Sequence, residues 1–178
     1  MLKSIIILLM LLGSFFAKAQ FVDPYHNWHF SFGRSGTPGD IIKVGLEYGM
    51  AEKSTINTEI GYEASRTKNL KYKSYGLSVA YRYYILGNTL MTSKSKTNIA
   101  IGLGGIIQLD SEPTVYKSLP MTQRLNYGVS GQIMGEYFFD PVIGFFIQAE
   151  QRVMSRELLG RYNYFIGAGL KIHFGNQY

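Results

Sequence analysis

Polar and apolar residues alternate along most of this chain, most cleanly over residues 162–174. The even positions there are Tyr162, Tyr164, Ile166, Ala168, Leu170, Ile172 and Phe174, whereas the odd positions are mostly small, polar or charged. Side chains on a strand point alternately to its two faces, so this segment has one apolar face and one polar, glycine-rich face. A membrane-crossing β-strand needs that pattern over roughly 9–11 residues. Seven earlier stretches read the same way: residues 27–34, 40–50, 55–65, 73–86, 97–109, 124–139 and 142–154. Pro24, Pro38, Pro113, Pro120 and Pro141 all fall outside these stretches, as ladders that use every N–H require. Eight such strands predict an all-β fold, an eight-stranded antiparallel up-and-down transmembrane β-barrel, closed because lipid offers no partner to an open edge.

Volume decides which face points inward. One face carries bulky residues such as Trp28, Val44, Leu77, Leu103, Ile133 and Ile147; the other carries Gly45, Gly61, Ser78, Ala80, Gly104, Ser130 and Gly167, together with charges. An eight-stranded barrel has an interior only just wide enough for its own side chains, so the small and charged set belongs inside. Nine charges fall on that inner face: Lys43, Glu47, Glu59, Glu63, Arg82, Glu136, Glu150, Arg152 and Lys171. Charges buried together must compensate one another, so a lumen-filling network is expected.

The connections alternate in length. Residues 51–54 and the Asp140-Pro141 corner are tight, whereas 66–72, 110–123 and 155–161 are longer. Membrane barrels keep short turns in the periplasm and long loops outside, which places the N-terminus in the periplasm. Residues 87–96 depart from that rule as a longer polar connection on the periplasmic side. Phe32, Tyr62, Tyr75, Tyr127 and Tyr162 fall at the outer strand ends, and Tyr48, Tyr83, Tyr137, Phe139 and Phe174 at the periplasmic ends. Two such girdles suit the two headgroup levels of a bilayer.

Residues 1–19 have a basic start at Lys3, an apolar run from Ile5 to Leu12 and the small-x-small ending Ala17-Lys18-Ala19. That pattern predicts a signal peptide over 1–19, cleaved before Gln20, and a barrel domain over 20–178. Together they predict export to the outer membrane of a Gram-negative bacterium. The formal charge of +6 includes Lys3 and Lys18, whose removal would leave +4. A basic balance first suggests nucleic acid. The chain has no recognition-helix pattern and an exported protein rarely meets nucleic acid, so no such partner is expected. With no cysteine, the chain can hold neither a disulfide framework nor a thiolate metal site.

His29 and His173 would both face inward on the first and last strands, which neighbour each other in a closed barrel and could bring them together; Ser31 lies close by, and His26 falls in the periplasmic lead-in. A metal site needs further ligands and a serine relay needs a third group, and no local motif supplies either. No catalytic residue, cofactor or metal is therefore expected. At the outer ends, Arg34, Arg66, Lys68, Lys71, Lys73, Lys117, Arg124, Arg156 and Arg161 outnumber Asp40, Asp110, Glu112 and Glu157. Such an excess suits the phosphates of lipopolysaccharide, which with outer-membrane lipid is an expected partner.

The ending Gly169-Leu170-Lys171-Ile172-His173-Phe174 resembles the aromatic-ended signal read by the barrel insertion machinery, and so implies that machinery as a partner. The stretch from Tyr75 to Phe174 resembles the conjugative transposon protein TraO family of Bacteroidota. The resemblance lies in Asn126-Tyr127-Gly128, Glu136-Tyr137 with Phe139-Asp140, Gly102 with Gly104, and Gly167-Ala168-Gly169 with Phe174. It implies a small exported barrel working beside other conjugation proteins, and it carries over no catalytic residue. The same features are similar to those of OmpA-like and PorT-like eight-stranded barrels. Three function classes follow: a structural or accessory barrel of conjugative transfer, a surface recognition barrel binding a host or envelope ligand through its loops, and a lipid-modifying enzyme of the outer membrane.

Overall fold

The computed structural model describes residues 26–36, 39–65, 72–87, 96–111, 123–155 and 162–174. The leader over 1–19 and most of the longer loops lie outside the described residues. The chain forms β1 (His26–Ser35), β2 (Gly39–Ala51), β3 (Ser54–Ser65), β4 (Lys73–Leu86), β5 (Thr97–Ser111), β6 (Gln123–Phe138), β7 (Ile143–Met154) and β8 (Tyr162–Phe174). Each strand runs antiparallel to the next, and β1 pairs with β8 from His26↔Phe174 to Ser35↔Phe165. The sheet therefore closes on itself and has no edge strand.

β4 and β8 have the limits that the alternation predicts, and the other strands differ from it by one or two residues at an end, for local reasons. β5 continues to Ser111 because its hydroxyl accepts from the Lys73 N–H at 2.6 Å and donates to the Lys73 carbonyl at 2.8 Å, extending the β4 ladder through a side chain. At the tight corner, Asp140 Oδ1 accepts from the N–H groups of Val142 (2.7 Å) and Ile143 (2.8 Å). This side-chain turn ends β6 at Phe138 and delays β7 to Ile143.

The bulky face points outward: Trp28, Phe30, Val44, Leu77, Leu103, Ile133, Ile147 and Leu170 are all exposed. Such a continuous apolar exterior suits lipid rather than water. Tyr62 and Tyr75 meet at a tilt, 5.1 Å between ring centres, at one end of the barrel; Tyr137 with Phe139 (5.5 Å) and His26 with Tyr48 (5.2 Å) lie at the other, where β1 begins and β8 ends. We call the latter the terminal end.

The interior is not filled by small and charged residues alone. Ile41, Tyr84, Met134, Phe138, Phe146 and Phe165 also point inward and are buried. The three phenylalanines fit because glycines on neighbouring strands lie beneath them. A Cβ at Gly33 would sit 2.2 Å from the Ile166 carbonyl oxygen and 2.6 Å from the Phe165 ring; one at Gly169 would meet the Phe30 carbonyl oxygen at 2.0 Å and the Phe146 ring at 2.7 Å. The β1–β8 closure thus depends on these bare backbones. Gly33→Val is expected to destabilise the barrel by about 1–3 kcal/mol or more, through overpacking against main chain that cannot withdraw. Urea titration in lipid vesicles measures the effect, and unchanged stability would contradict this close approach.

Candidate functional site: the charged lumen

Alternation brings the nine inward charges into one enclosed space, where all nine are buried. They join in a single chain of alternating sign running from the terminal end to the far end. Glu136 accepts from Lys171 Nζ, which also reaches both Glu47 oxygens at 3.2 Å. Glu47 Oε2 accepts from Arg82 Nη1 at 2.9 Å, and Arg82 Nη2 donates to Glu59 Oε1 at 2.8 Å. Glu59 Oε2 accepts from Lys43 Nζ at 2.8 Å, and Lys43 donates in turn to Glu150. Glu150 Oε1 accepts from Arg152 Nε at 3.0 Å, and Arg152 Nη1 lies 3.9 Å from Glu63 Oε2.

This order explains how five carboxylates coexist with four cations. Every cation sits between two acids, and the two terminal acids are held by hydroxyl and amide donors instead. At one end Tyr84 Oη lies 3.3 Å from Glu136 Oε1 and Asn98 Nδ2 lies 3.4 Å from Glu136 Oε2; at the other end the hydroxyls of Ser35 and Tyr72 donate to Glu63. Amides complete the lining. Asn27 donates to Glu47 (3.0 Å), Asn57 to Glu59 (2.8 Å), and Gln132 Oε1 accepts from Arg82 Nη2 and from Gln148 (both 2.9 Å). Lys43 Nζ also lies 4.3 Å from the centre of the Phe165 ring, a cation–π contact in a dry setting. Buried charges are tolerated when paired and hydrogen-bonded in this way.

Little space remains. The cavity beside the network, bordered by Lys43, Glu59, Glu63, Ser74, Gln108 and Arg152, measures about 20 Å³, room for a single water. Toward the terminal end the apolar side chains of Tyr84, Ala100, Met134 and Phe146 cluster in the interior.

His29 and His173 do not form a pair. The β1–β8 register sets His29 opposite Lys171 and Asn27 opposite His173. His29 Nε2 lies 2.7 Å from Asn57 Oδ1, and His173 Nδ1 lies 2.6 Å from Asn27 Oδ1. The Ser31 hydroxyl is buried with no hydrogen-bond partner among the described residues, so it is not joined to His29. Among the described residues no three acidic or histidine side chains gather as a metal site would require. His26 belongs to β1 rather than to a lead-in.

Of the basic residues that the sequence pattern sets at the outer ends, three are described. Arg34 points outward with its Nε 3.8 Å from Asp40, and Lys73 and Arg124 are exposed at the ends of β4 and β6. Asp110, opposite Arg124 in the ladder, turns inward, where it accepts from Ser74 (2.7 Å) and Asn126 (3.1 Å). Arg66, Lys68, Lys71, Lys117, Arg156 and Arg161 lie outside the described residues.

No family model matches this sequence, and no curated protein matches it. Solved structures do. Neisserial surface protein A aligns at a TM-score of 0.66 and 10% identity, over 85% of this chain and 97% of that one. The N-terminal β-barrel domain of OprF from Pseudomonas aeruginosa aligns at 0.63 and 10% identity, over 84% and 97%. The outer membrane protein OprG of the same organism aligns at 0.62 and 12% identity, over 87% and 97%. The fold is that of small outer-membrane barrels. At these identities the likeness speaks for architecture, and the lumen charges are features read from this chain alone.

The sequence pattern leaves out the parts of the network that carry no charge. Tyr84 and Tyr72 cap its ends, and Asn27, Asn57 and Gln132 orient its carboxylates and Arg82. The phase of β4 contains one signal: Tyr84 shares the inward parity of Arg82, opposite to Tyr81 and Tyr83.

Proposed function

We propose that this chain is a closed outer-membrane barrel that serves as a structural or accessory part of a conjugative transfer apparatus, rather than as an enzyme. The observation that carries the reading is the alternating chain of nine charges, which runs through the lumen from Glu136 to Glu63 with a cavity of only about 20 Å³ beside it. The apolar exterior with its aromatic bands, together with the fold likeness, supports the membrane setting. Lipid and lipopolysaccharide are the proposed neighbours of that exterior. The conjugative part rests on the TraO resemblance of the Tyr75–Phe174 stretch.

Planar-bilayer recording on the purified barrel is expected to show no steady conductance, and large stable channels would refute the closed lumen. Deletion of the gene from a conjugating host should lower transfer frequency without affecting growth. Unchanged transfer would remove the conjugative part and favour surface recognition through the loops.

A further inference from the structure

The outer wall is uneven. All strand glycines that face outward, Gly105, Gly131 and Gly135, lie on β5 and β6, and Ala149 and Ala168 continue the thinning onto β7 and β8. A hollow of about 690 Å³ lies over Gly131 and Ala149, walled by Tyr81 and Leu103 on one side and by Tyr164 and Ile166 on the other. Its floor is near mid-strand, at the ninth of sixteen residues in β6. Beside it stands Leu103, at 76% the most exposed large apolar side chain among the described residues.

Polar atoms converge on the same place. The ladder sets Tyr81, Leu103, Gly131, Gln151 and Tyr164 in one line across five strands. Gln151 Nε2 donates to main-chain carbonyls, at 3.0 Å to Asn163 and 3.4 Å to Arg152. Its own carbonyl oxygen receives no donor among the described residues, and the Tyr81 and Tyr164 hydroxyls make no hydrogen bond there. Lipid tails offer no partner to such groups. An acyl chain would fill the hollow and leave these atoms unmatched.

A second copy of this chain carries groups complementary to them. A two-fold contact sets residue i against residue j and j against i, so it requires a patch that is complementary to itself. This wall carries a projecting leucine beside a glycine-floored hollow, and hydroxyl donors beside a free carbonyl acceptor. Small residues also let two walls approach closely inside a membrane. We propose that the β5–β7 wall is the contact face of a two-fold dimer within the bilayer. Leu103 of each copy sits over the Gly131–Ala149 hollow of the other, and a tyrosine hydroxyl of one copy donates to the Gln151 carbonyl of the other.

The absence of cysteine gives a clean test. Leu103→Cys chains and differently tagged Ala149→Cys chains, reconstituted together in phospholipid vesicles, should form a mixed disulfide on mild oxidation. Val44→Cys chains, altered on the β2 wall, should not cross-link. A Cβ at Gly131 would meet only the Leu103 methyl group, at 3.7 Å, so Gly131→Leu should leave heat-modifiable gel migration unchanged while abolishing the 103–149 cross-link. Absence of that cross-link at every protein-to-lipid ratio, or equal cross-linking through Val44→Cys, would overturn the dimer. Lipid retained by a monomeric barrel would then identify an acyl chain as the occupant.

Discussion

Arg82→Ala is expected to lower the unfolding free energy of the barrel in lipid vesicles by about 3–5 kcal/mol, the usual cost of leaving a buried charge without its partner. Arg82 is the link between the two halves of the network. It donates to Glu47 and Glu59 at once and also reaches Gln132 with Nε at 3.2 Å. Without it, the chain divides into Glu136–Lys171–Glu47 and Glu59–Lys43–Glu150–Arg152–Glu63, each with one carboxylate in excess. Removal in pairs should behave differently. In Arg82→Met combined with Glu59→Gln, the remaining charges still alternate, and similar volume is retained. The double variant should therefore recover a substantial part of the loss, because a buried pair can often be replaced by uncharged groups at little net cost. Urea titration of the two single variants and the double variant measures the coupling. A double variant as damaged as the sum of the singles would show that Arg82 acts through packing alone.

Arginine on the outer wall should be costly for the opposite reason. Val44 and Leu170 are 46% and 53% exposed, near the middle of β2 and β8, on the face assigned to lipid. A charge introduced at the bilayer midplane of such a wall costs about 2–4 kcal/mol, falling toward zero at the interfaces. Val44→Arg and Leu170→Arg should show the larger figure. Tyr62→Arg, at the far-end aromatic band, should be nearly neutral. A soluble barrel would give no such dependence on depth.

The alternation made much of the architecture legible, because a period of two assigns each side chain to a face without knowledge of its neighbours. It located eight strands and the phase of the nine network charges, but it set Asp110 at an outer end, where the structure turns it inward onto Ser74 and Asn126. It could not supply register. The order Glu136, Lys171, Glu47, Arg82, Glu59 depends on how far each strand is staggered against the next, and no local pattern encodes that stagger. The same gap explains His29 and His173. Both lie on neighbouring strands, but the ladder offsets them by two residues, and each engages a different asparagine.

The volume argument was incomplete for a related reason. Phe165 and Phe146 have the parity of the small, polar face and look misplaced until Gly33, Gly167 and Gly169 are seen beneath them. Large and small residues compensate across strands, not along one. Strand ends were blurred by Ser111 and Asp140, whose side chains bond to main chain and extend or cut a ladder that backbone alternation alone would end elsewhere.

The claim on which the rest depends is that one face of every strand meets lipid and the other meets the charge network. Leu170 and Lys171 test it at adjacent positions of β8: Leu170 is exposed on the wall, and Lys171 is 1% exposed between Glu47 and Glu136. Urea titration in phospholipid vesicles should show Leu170→Arg losing about 2–4 kcal/mol. Lys171→Arg, which keeps the charge inside its carboxylate pair, should lose less. If Lys171→Arg were the more damaging of the two while Leu170→Arg left stability unchanged, lipid would not lie against that wall, and the assignment of inside and outside would be contradicted.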